Sequence, residues 1–157
     1  RSRYFAFVVF AKDYSGSMQQ FLDNTCNELN KAWDNRYTEI ENLYEQFQMA
    51  VQITFNIFGK DAFHKFKAGN YENKINRAVA DIMLFYFSNP DIRMAVLGHE
   101  EQIKSKFEIL STGRVEFLSA IETTTKSMQS VKERFNTWAN ALSEELGVKV
   151  ESPYSEN

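Results

Sequence analysis

Residues 73–91 read NKINRAVADIMLFYFSNPD, an apolar run followed at once by the start signal of another helix. The second half of the run, 79–87, is apolar on nearly every side of a helix, and such a helix is normally surrounded by other helices. Asn89–Asp91 then supplies an N-cap, a proline at the first helical position and an acid in the first turn. The stretch therefore predicts a central helix over about 73–88 and a second helix directly after it.

Amphipathic patterns on both sides of this stretch predict further helices. Ser17 and Ser127 each precede an apolar stripe with steps of three and four, which is the position of an N-cap, and Gly147 follows the last stripe. No segment has a convincing strand pattern, and Gly and Pro, at 6 and 2, are too few for a sandwich or barrel. We predict an all-α fold, a single-domain irregular bundle of roughly seven to nine helices over 1–147. Residues 148–157 are expected to form a flexible C-terminal tail.

Composition bounds the class of protein. Hydrophobic residues at 43% and aromatics at 15% of 157 residues supply a core and argue against disorder. The formal charge of −3 gives no global reason to expect nucleic-acid binding. The single cysteine, Cys26, falls on the predicted apolar stripe of the second helix, so we expect a buried core residue. It cannot form an internal disulfide, and no apolar run approaches the ~20 residues that span a bilayer. We expect a cytoplasmic protein with no membrane partner.

The chain contains no recognisable catalytic constellation. It has no nucleophile elbow, no phosphate-binding glycine loop and no zinc-ligand spacing. The His99-Glu100-Glu101 sequence is better explained as a helix start, where acids are favoured, than as a metal site. The E-x-x-H motif of di-metal helical bundles is absent. We predict no catalytic residue, no metal and no cofactor.

Charge is unevenly distributed along the chain. The segment 60–77 holds five basic residues against two acids, with the aromatics Phe63, Phe66 and Tyr71 between them. Basic residues beside exposed aromatics suit a nucleic-acid backbone, although the aromatics can equally turn inward and leave the lysines simply solvated. Residues 23–45 hold six acids against two bases, so the surface is polarised in a way that suits docking to a partner. The candidate DNA-binding residues are Lys60, Lys65, Lys67, Lys74 and Arg77.

The first helix provides a candidate interaction surface. Its residues Phe5, Val8 and Val9, together with two further phenylalanines, cover more than one helical face, so part of them would stay exposed without a partner. The chain enters this apolar helix directly after Arg1, with no initiator Met or polar lead-in, and we expect another domain before it. A protein–protein interaction or homodimerisation module with no nucleic-acid role is therefore the alternative function.

Four short motifs follow one another along the chain. An aromatic helix and a Y-x-G-x turn, with Phe21-Leu22 after them, open the chain over 5–22, and FG-x-x-AF occupies 58–63. N-x-A-x-x-D begins at Asn76, and T-x-S-x-x-x-V-x-x-R-F occupies 125–135. In this order they resemble the helical C-terminal region of proteins related to GmrS-type restriction subunits, which bear a ParB/sulfiredoxin-like N-terminal domain.

The resemblance implies a role in bacterial, anti-phage defence against foreign DNA. In that family the N-terminal domain carries a D-G-x-Q-R-like motif associated with nucleotide handling, and some members carry an HNH nuclease domain downstream. This chain contains neither, so no catalytic residue can be carried over. What remains is the expectation of a non-catalytic helical module that packs on the ParB-like N-terminal domain of the same protein, with a DNA contact as a further expectation.

Overall fold

A computed structural model describes residues 1–156, and within them eight α-helices and one small β-hairpin. Short 3₁₀ turns follow the first and third helices. The predicted helical bundle, including its number of helices, is confirmed. The elements are α1 (Ser2–Phe10), α2 (Met18–Ala32), α3 (Tyr37–Phe58), β1 (His64–Lys67), β2 (Asn70–Ile75), α4 (Arg77–Phe87), α5 (Pro90–Val96), α6 (Glu100–Gly113), α7 (Val115–Glu122) and α8 (Met128–Leu146).

The centre of the bundle is α4, as its all-round apolar pattern predicts. It packs against α1, α3, α5, α7 and α8. Val79, Ile82, Met83 and Phe87 on this helix are each at most 1% exposed. Burial on several sides at once is what a helix without a polar face requires, because any of its faces left in water would carry a hydrophobic cost.

Four of the predicted helix ends are confirmed by cap geometry. The side chains of Ser17, Asn89 and Ser127 each accept a backbone N–H in the first turn of the helix that follows. Gly147 closes α8 in the left-handed conformation with φ of 66°. These caps satisfy amide groups that have no partner inside the helix, so the sequence positions of the caps fix where the helices begin and end.

The β-hairpin corrects the prediction that the chain has no strand. The sequence predicted a loop around Lys67–Asn70 and a helix from about Asn73, but β2 extends to Ile75 and α4 begins at Arg77 behind an Asn76 N-cap. The strands are antiparallel and joined by Ala68 and Gly69, with φ of 52° and 81°. Positive φ at both residues of a two-residue loop matches the twist of a tight hairpin, although Ala is an unfavourable residue there.

Cys26 also differs from its prediction, because it is exposed. The core-facing residues of α2 are Met18, Phe21 and Thr25, and the Thr25 hydroxyl donates to the Phe21 carbonyl at 2.8 Å. One residue further along a helix means a rotation of about 100°, which carries Cys26 away from the core. Only the first half of α2 reaches the core, so the apolar residues of its second half, Leu29 and Ala32, are only partly buried.

Residues 148–156, the C-terminal segment, pack on the bundle where a flexible tail was predicted. Val150 is 7% exposed, and its N–H donates to the Ser143 hydroxyl at 2.9 Å. The Tyr154 ring lies edge-on to Phe135 at 5.4 Å between centroids, and its hydroxyl donates to the Ala11 carbonyl at 2.7 Å. The segment is short and polar in sequence, but two apolar side chains and these hydrogen bonds hold it in place.

Candidate docking and nucleic-acid surfaces

The five basic candidate residues lie in and around the β-hairpin. Lys65 and Lys67 are on β1, Lys74 is on β2, Arg77 opens α4, and Lys60 is in the 3₁₀ turn before β1 that packs against β2. The hairpin brings these residues to one region of the surface, as their closeness in sequence suggests. Their surroundings then divide them into two groups.

Lys65 and Lys67 are neutralised by acids of the same chain. Lys65 is 8% exposed, and its Nζ lies 2.9 Å from Glu72 and 3.8 Å from Glu122. Lys67 also pairs with Glu122, and this hydrogen bond lowers the pKa of the Glu122 carboxyl. Glu122 ends α7, so the two lysines fasten β1 to that helix. Glu72 and Glu122 therefore largely cancel the positive charge that Lys65 and Lys67 would present to a phosphate of a bound nucleic acid.

The other three candidates, Lys60, Lys74 and Arg77, remain available to contact a ligand. All three are exposed, and within residues 1–156 none of them forms an ion pair. Ile75 lies between two of them in sequence and is 66% exposed. We call these four residues the hairpin patch. It combines three free positive charges with one apolar side chain.

The aromatic residues of the hairpin turn inward, as the alternative interpretation of this segment held. Phe66 and Tyr71 pack on each other at 4.9 Å between centroids and against the core, and Phe63 is 8% exposed. Lys104 of α6 lies over the Tyr71 ring at 5.6 Å. Burial raises the pKa of the Tyr71 hydroxyl well above its usual range. Base stacking on these rings is therefore not available.

The three candidate residues of α1 have different surroundings. Phe5 is 9% exposed and packs edge-on to Tyr4 at 5.4 Å, so it belongs to the core. Val8 is partly buried, and Val9 is 42% exposed. Of the predicted interaction surface, Val9 is thus the residue that presents a large apolar area to solvent.

Val9 lines a cleft that no single sequence pattern indicated. The second half of α2 and the first half of α3 extend away from the core, and we call residues 23–47 the acidic arm. Between this arm and α1 lies a cavity of about 300 Å³, open to solvent, which we call the arm cleft. Its apolar lining comes from three helices: Val9, Phe10, Leu29, Ala32, Ile40 and Leu43. Stripe residues of α2 and α3 that fail to reach the core meet here instead.

The acidic arm carries six acids against two bases, a net charge of −4. Both bases are already paired, Lys31 with Glu28 and Arg36 with Glu39. Its end is aromatic: Trp33 and Tyr37 are 52% and 47% exposed and contact each other edge-on at 5.3 Å. Among the described residues, the neighbouring Asp34 and Glu41 have no ion-pair partner. We call Trp33, Asp34, Tyr37 and Glu41 the arm tip.

A buried charge cluster joins two of the four sequence motifs. Asp81 of α4 accepts hydrogen bonds from Arg3 at 2.9 and 2.5 Å and from Arg134 of α8 at 3.1 Å. The Arg134 side chain is fully buried and also donates to the Ala120 and Thr125 carbonyls, at 3.3 and 2.6 Å. Burial lowers the pKa of Arg134, although the Asp81 carboxylate opposes this effect. The cluster is enclosed by helices, so these motif residues hold the bundle together and do not face a ligand.

A cavity of about 590 Å³ is lined by residues of α1, α3, α4 and α5 and by the C-terminal segment. Its floor contains Tyr4 and Tyr86, and the C-terminal segment forms one wall. The Tyr4 hydroxyl donates to the Leu43 carbonyl at 3.0 Å and the Tyr86 hydroxyl to the Phe135 carbonyl at 2.8 Å. Both hydroxyls thus donate to backbone carbonyls, and Lys149 and Glu151, which also line the cavity, form an ion pair with each other.

Residues 1–156 contain neither a candidate metal site nor a candidate membrane span. No group of three or more His, Cys, Asp or Glu side chains there is close enough together to hold a metal ion. None of the helices in the same range combines the length and apolar character needed to cross a bilayer. Comparison of the chain with protein-family models, with curated proteins and with solved structures gives no match.

Proposed function

We propose that this chain is a non-catalytic helical docking module of a cytoplasmic, GmrS-like bacterial DNA-defence protein. In this proposal it packs on a nucleotide-dependent, ParB-like N-terminal domain of the same protein and has no reaction of its own. The observation that carries the docking role is the arm cleft, where three helices leave a shared apolar lining open to water. Apolar surface gathered in a concave site is typical of a place where a partner binds.

The Asp81 cluster supports the choice of module over enzyme. The motifs that suggest the GmrS-like class contain Asp81 and Arg134. The two side chains form a buried ion pair that joins α4 to α8. The partners of a buried ion pair maintain the fold, because removing either one leaves the other as an uncompensated buried charge. The class of the parent protein rests on the ordered motifs alone.

Hydrogen exchange tests docking at the arm cleft. We expect amides near Leu29 and Ile40 to exchange at least about tenfold more slowly in the complete gene product than in the isolated chain, because a docked partner suppresses local opening. Val9→Asp in the complete product should restore fast exchange by placing a charge in the cleft. Val115→Asp is the matched control, since that valine is 77% exposed on α7. If these amides exchanged equally fast in the complete gene product and in the isolated chain, the arm cleft would not be a docking site.

A second candidate function is DNA contact through the hairpin patch. The specific observation is that Lys60, Lys74 and Arg77 are exposed and free of acidic partners in the described structure. Three phosphate contacts support weak, sequence-independent binding, since each contact releases condensed counterions. The paired state of Lys65 and Lys67 makes this surface smaller than the sequence suggested.

Duplex DNA binding across a salt series tests this candidate. Lys60→Gln, Lys74→Gln and Arg77→Gln together should make the slope of log K against log salt shallower by about 2–3, because up to three contacts are lost. The matched control removes the charge of Lys12, Lys132 and Lys149, which are exposed and outside the hairpin. If both triple variants changed the slope equally, or neither did, the hairpin would not be a DNA contact. Fluorescence anisotropy with the complete gene product gives the measurement.

A further inference from the structure

Two surfaces of this chain are complementary to each other and have no partner within the molecule. The hairpin patch contributes three exposed cations without ion-pair partners and the exposed Ile75, and the arm tip contributes two carboxylates without ion-pair partners together with the exposed Trp33 and Tyr37. The first lies at the start of α4 and the second at the junction of α2 and α3. Each therefore combines a charge of one sign with apolar surface, and the two signs are opposite.

We propose that the arm tip of one copy docks on the hairpin patch of a second copy, head to tail. Arg77 and the lysines then face Asp34 and Glu41, and Ile75 packs against the exposed rings. An arginine over an indole or phenol face also gains a cation–π attraction. Complementary potentials steer the two copies into this orientation and disfavour tip-to-tip or patch-to-patch contact.

The side chains of the two surfaces favour a second copy of this chain over a purely apolar partner. Trp, Tyr and Arg are the side chains that most often dominate protein interfaces, and these two surfaces supply all three. Neither surface carries a compensating charge from its own chain at Asp34, Glu41, Lys60, Lys74 or Arg77. A second copy neutralises both sets at once.

The expected association is weak and joins two different surfaces. Exposed ion pairs contribute little individually, so the contact is of the transient class. Because the two surfaces differ, the contact is heterologous, and it builds a ring where the rotation between copies closes and an open chain where it does not. The same cations serve the DNA contact considered above, so DNA and a second copy exclude each other. The inference concerns other residues than the arm cleft and goes beyond docking there.

Sedimentation velocity of the chain tests the contact. At about 10 mM salt, where screening extends to about 30 Å, the average mass should rise with protein concentration. At about 150 mM salt, with screening near 8 Å, association should be at least about tenfold weaker. Trp33→Ala should weaken association by about tenfold at either salt concentration, since it removes an apolar anchor. A monomer at every concentration in low salt would overturn the proposal.

Charge reversal gives the decisive control. One variant carries Asp34→Lys and Glu41→Lys in the arm tip together with Glu45→Lys one turn further along α3, and the other carries Lys60→Glu, Lys74→Glu and Arg77→Glu. Each alone should be monomeric, because its two surfaces now repel. An equimolar mixture should associate again, because opposite charges are restored between copies. A variant with Asp13→Lys, Glu116→Lys and Glu156→Lys has the same net charge as the first.

The outcomes separate this inference from the proposed functions. Loss of association in the last variant as well, or no recovery in the mixture, would show that net charge and not the two surfaces controls association, and would overturn the proposal. Recovery of association in the mixture, with the last variant still associating by itself, would support the proposal. Docking at the arm cleft is judged separately by hydrogen exchange, and DNA contact by the salt slope, so either can stand if head-to-tail association fails.

Discussion

Replacing Asp81 with alanine is expected to lower the free energy of unfolding by about 3–5 kcal/mol, because it leaves the buried charge of Arg134 without a counter-ion. Arg134 has no exposed side-chain surface, and its remaining partners are two backbone carbonyls. In urea the midpoint should fall by roughly 1.5–2.5 M for a slope near 2 kcal/mol/M. Far-ultraviolet circular dichroism follows the transition.

Two further variants separate the charge effect from simple loss of a side chain. Asp23→Ala removes an exposed aspartate from a helix and should change stability by less than about 0.5 kcal/mol. Asp81→Ala combined with Arg134→Met removes both members of the pair and should recover most of the loss, since an apolar side chain of similar length carries no desolvation cost. A double variant as unstable as the single one would contradict the ionic explanation.

The second large effect is expected from Phe135→Ala, which should cost about 3–5 kcal/mol in the free energy of unfolding. Phe135 has no exposed surface, and its ring lies 5.0 Å from Phe7, 5.3 Å from Phe85 and 5.4 Å from Tyr154 between centroids. Its removal leaves a cavity where α1, α4, α8 and the C-terminal segment meet. Thermal and urea denaturation measure the loss.

A matched substitution at the surface calibrates this result. Phe55 is 48% exposed, and Phe55→Ala should cost less than about 1 kcal/mol. Amides of the C-terminal segment should also exchange faster in Phe135→Ala than in the unchanged chain, because Tyr154 loses the ring it packs on. If the two alanine variants were equally stable, Phe135 would not be the centre of the core.

Local signals in the sequence were sufficient for most of the helices. The caps at Ser17, Asn89 and Ser127, and the glycine after α8, act within one helical turn, so their effect can be predicted without knowing the rest of the fold. The all-apolar half of α4 likewise has one stable location, the centre. These are cases where local preference and tertiary packing agree.

The hairpin was missed because its strands are short and mostly polar. Only Phe66 and Tyr71 form an apolar pair across the strands, and the turn uses Ala68-Gly69 in place of the usual Asn-Gly. Asn76 could have shown that α4 begins after it, since an asparagine three residues before Val79 is in the N-cap position. Tertiary support from Glu122 and α6 stabilises strands that local preference leaves undecided.

The candidate surfaces were predictable only in part. The clustering of basic residues was correct, but Lys65 is buried between Glu72 at 2.9 Å and Glu122 at 3.8 Å, and Glu122 is 57 positions away in sequence. The arm cleft needed three helices to be placed before its apolar lining could be recognised. Pairings of this kind are set by the fold and leave no periodic signal in any one segment.

The links of α1 to distant parts of the chain have a consequence for synthesis on the ribosome. Arg3 binds residue 81, Phe7 packs on residue 135, and Ala11 accepts a hydrogen bond from residue 154. At about 5–20 residues per second, roughly 7 to 29 seconds pass between translation of α1 and of its last partner, which is 143 residues away. Within this bundle α1 therefore reaches its final position late, and its phenylalanines stay without their native partners until those residues have been made.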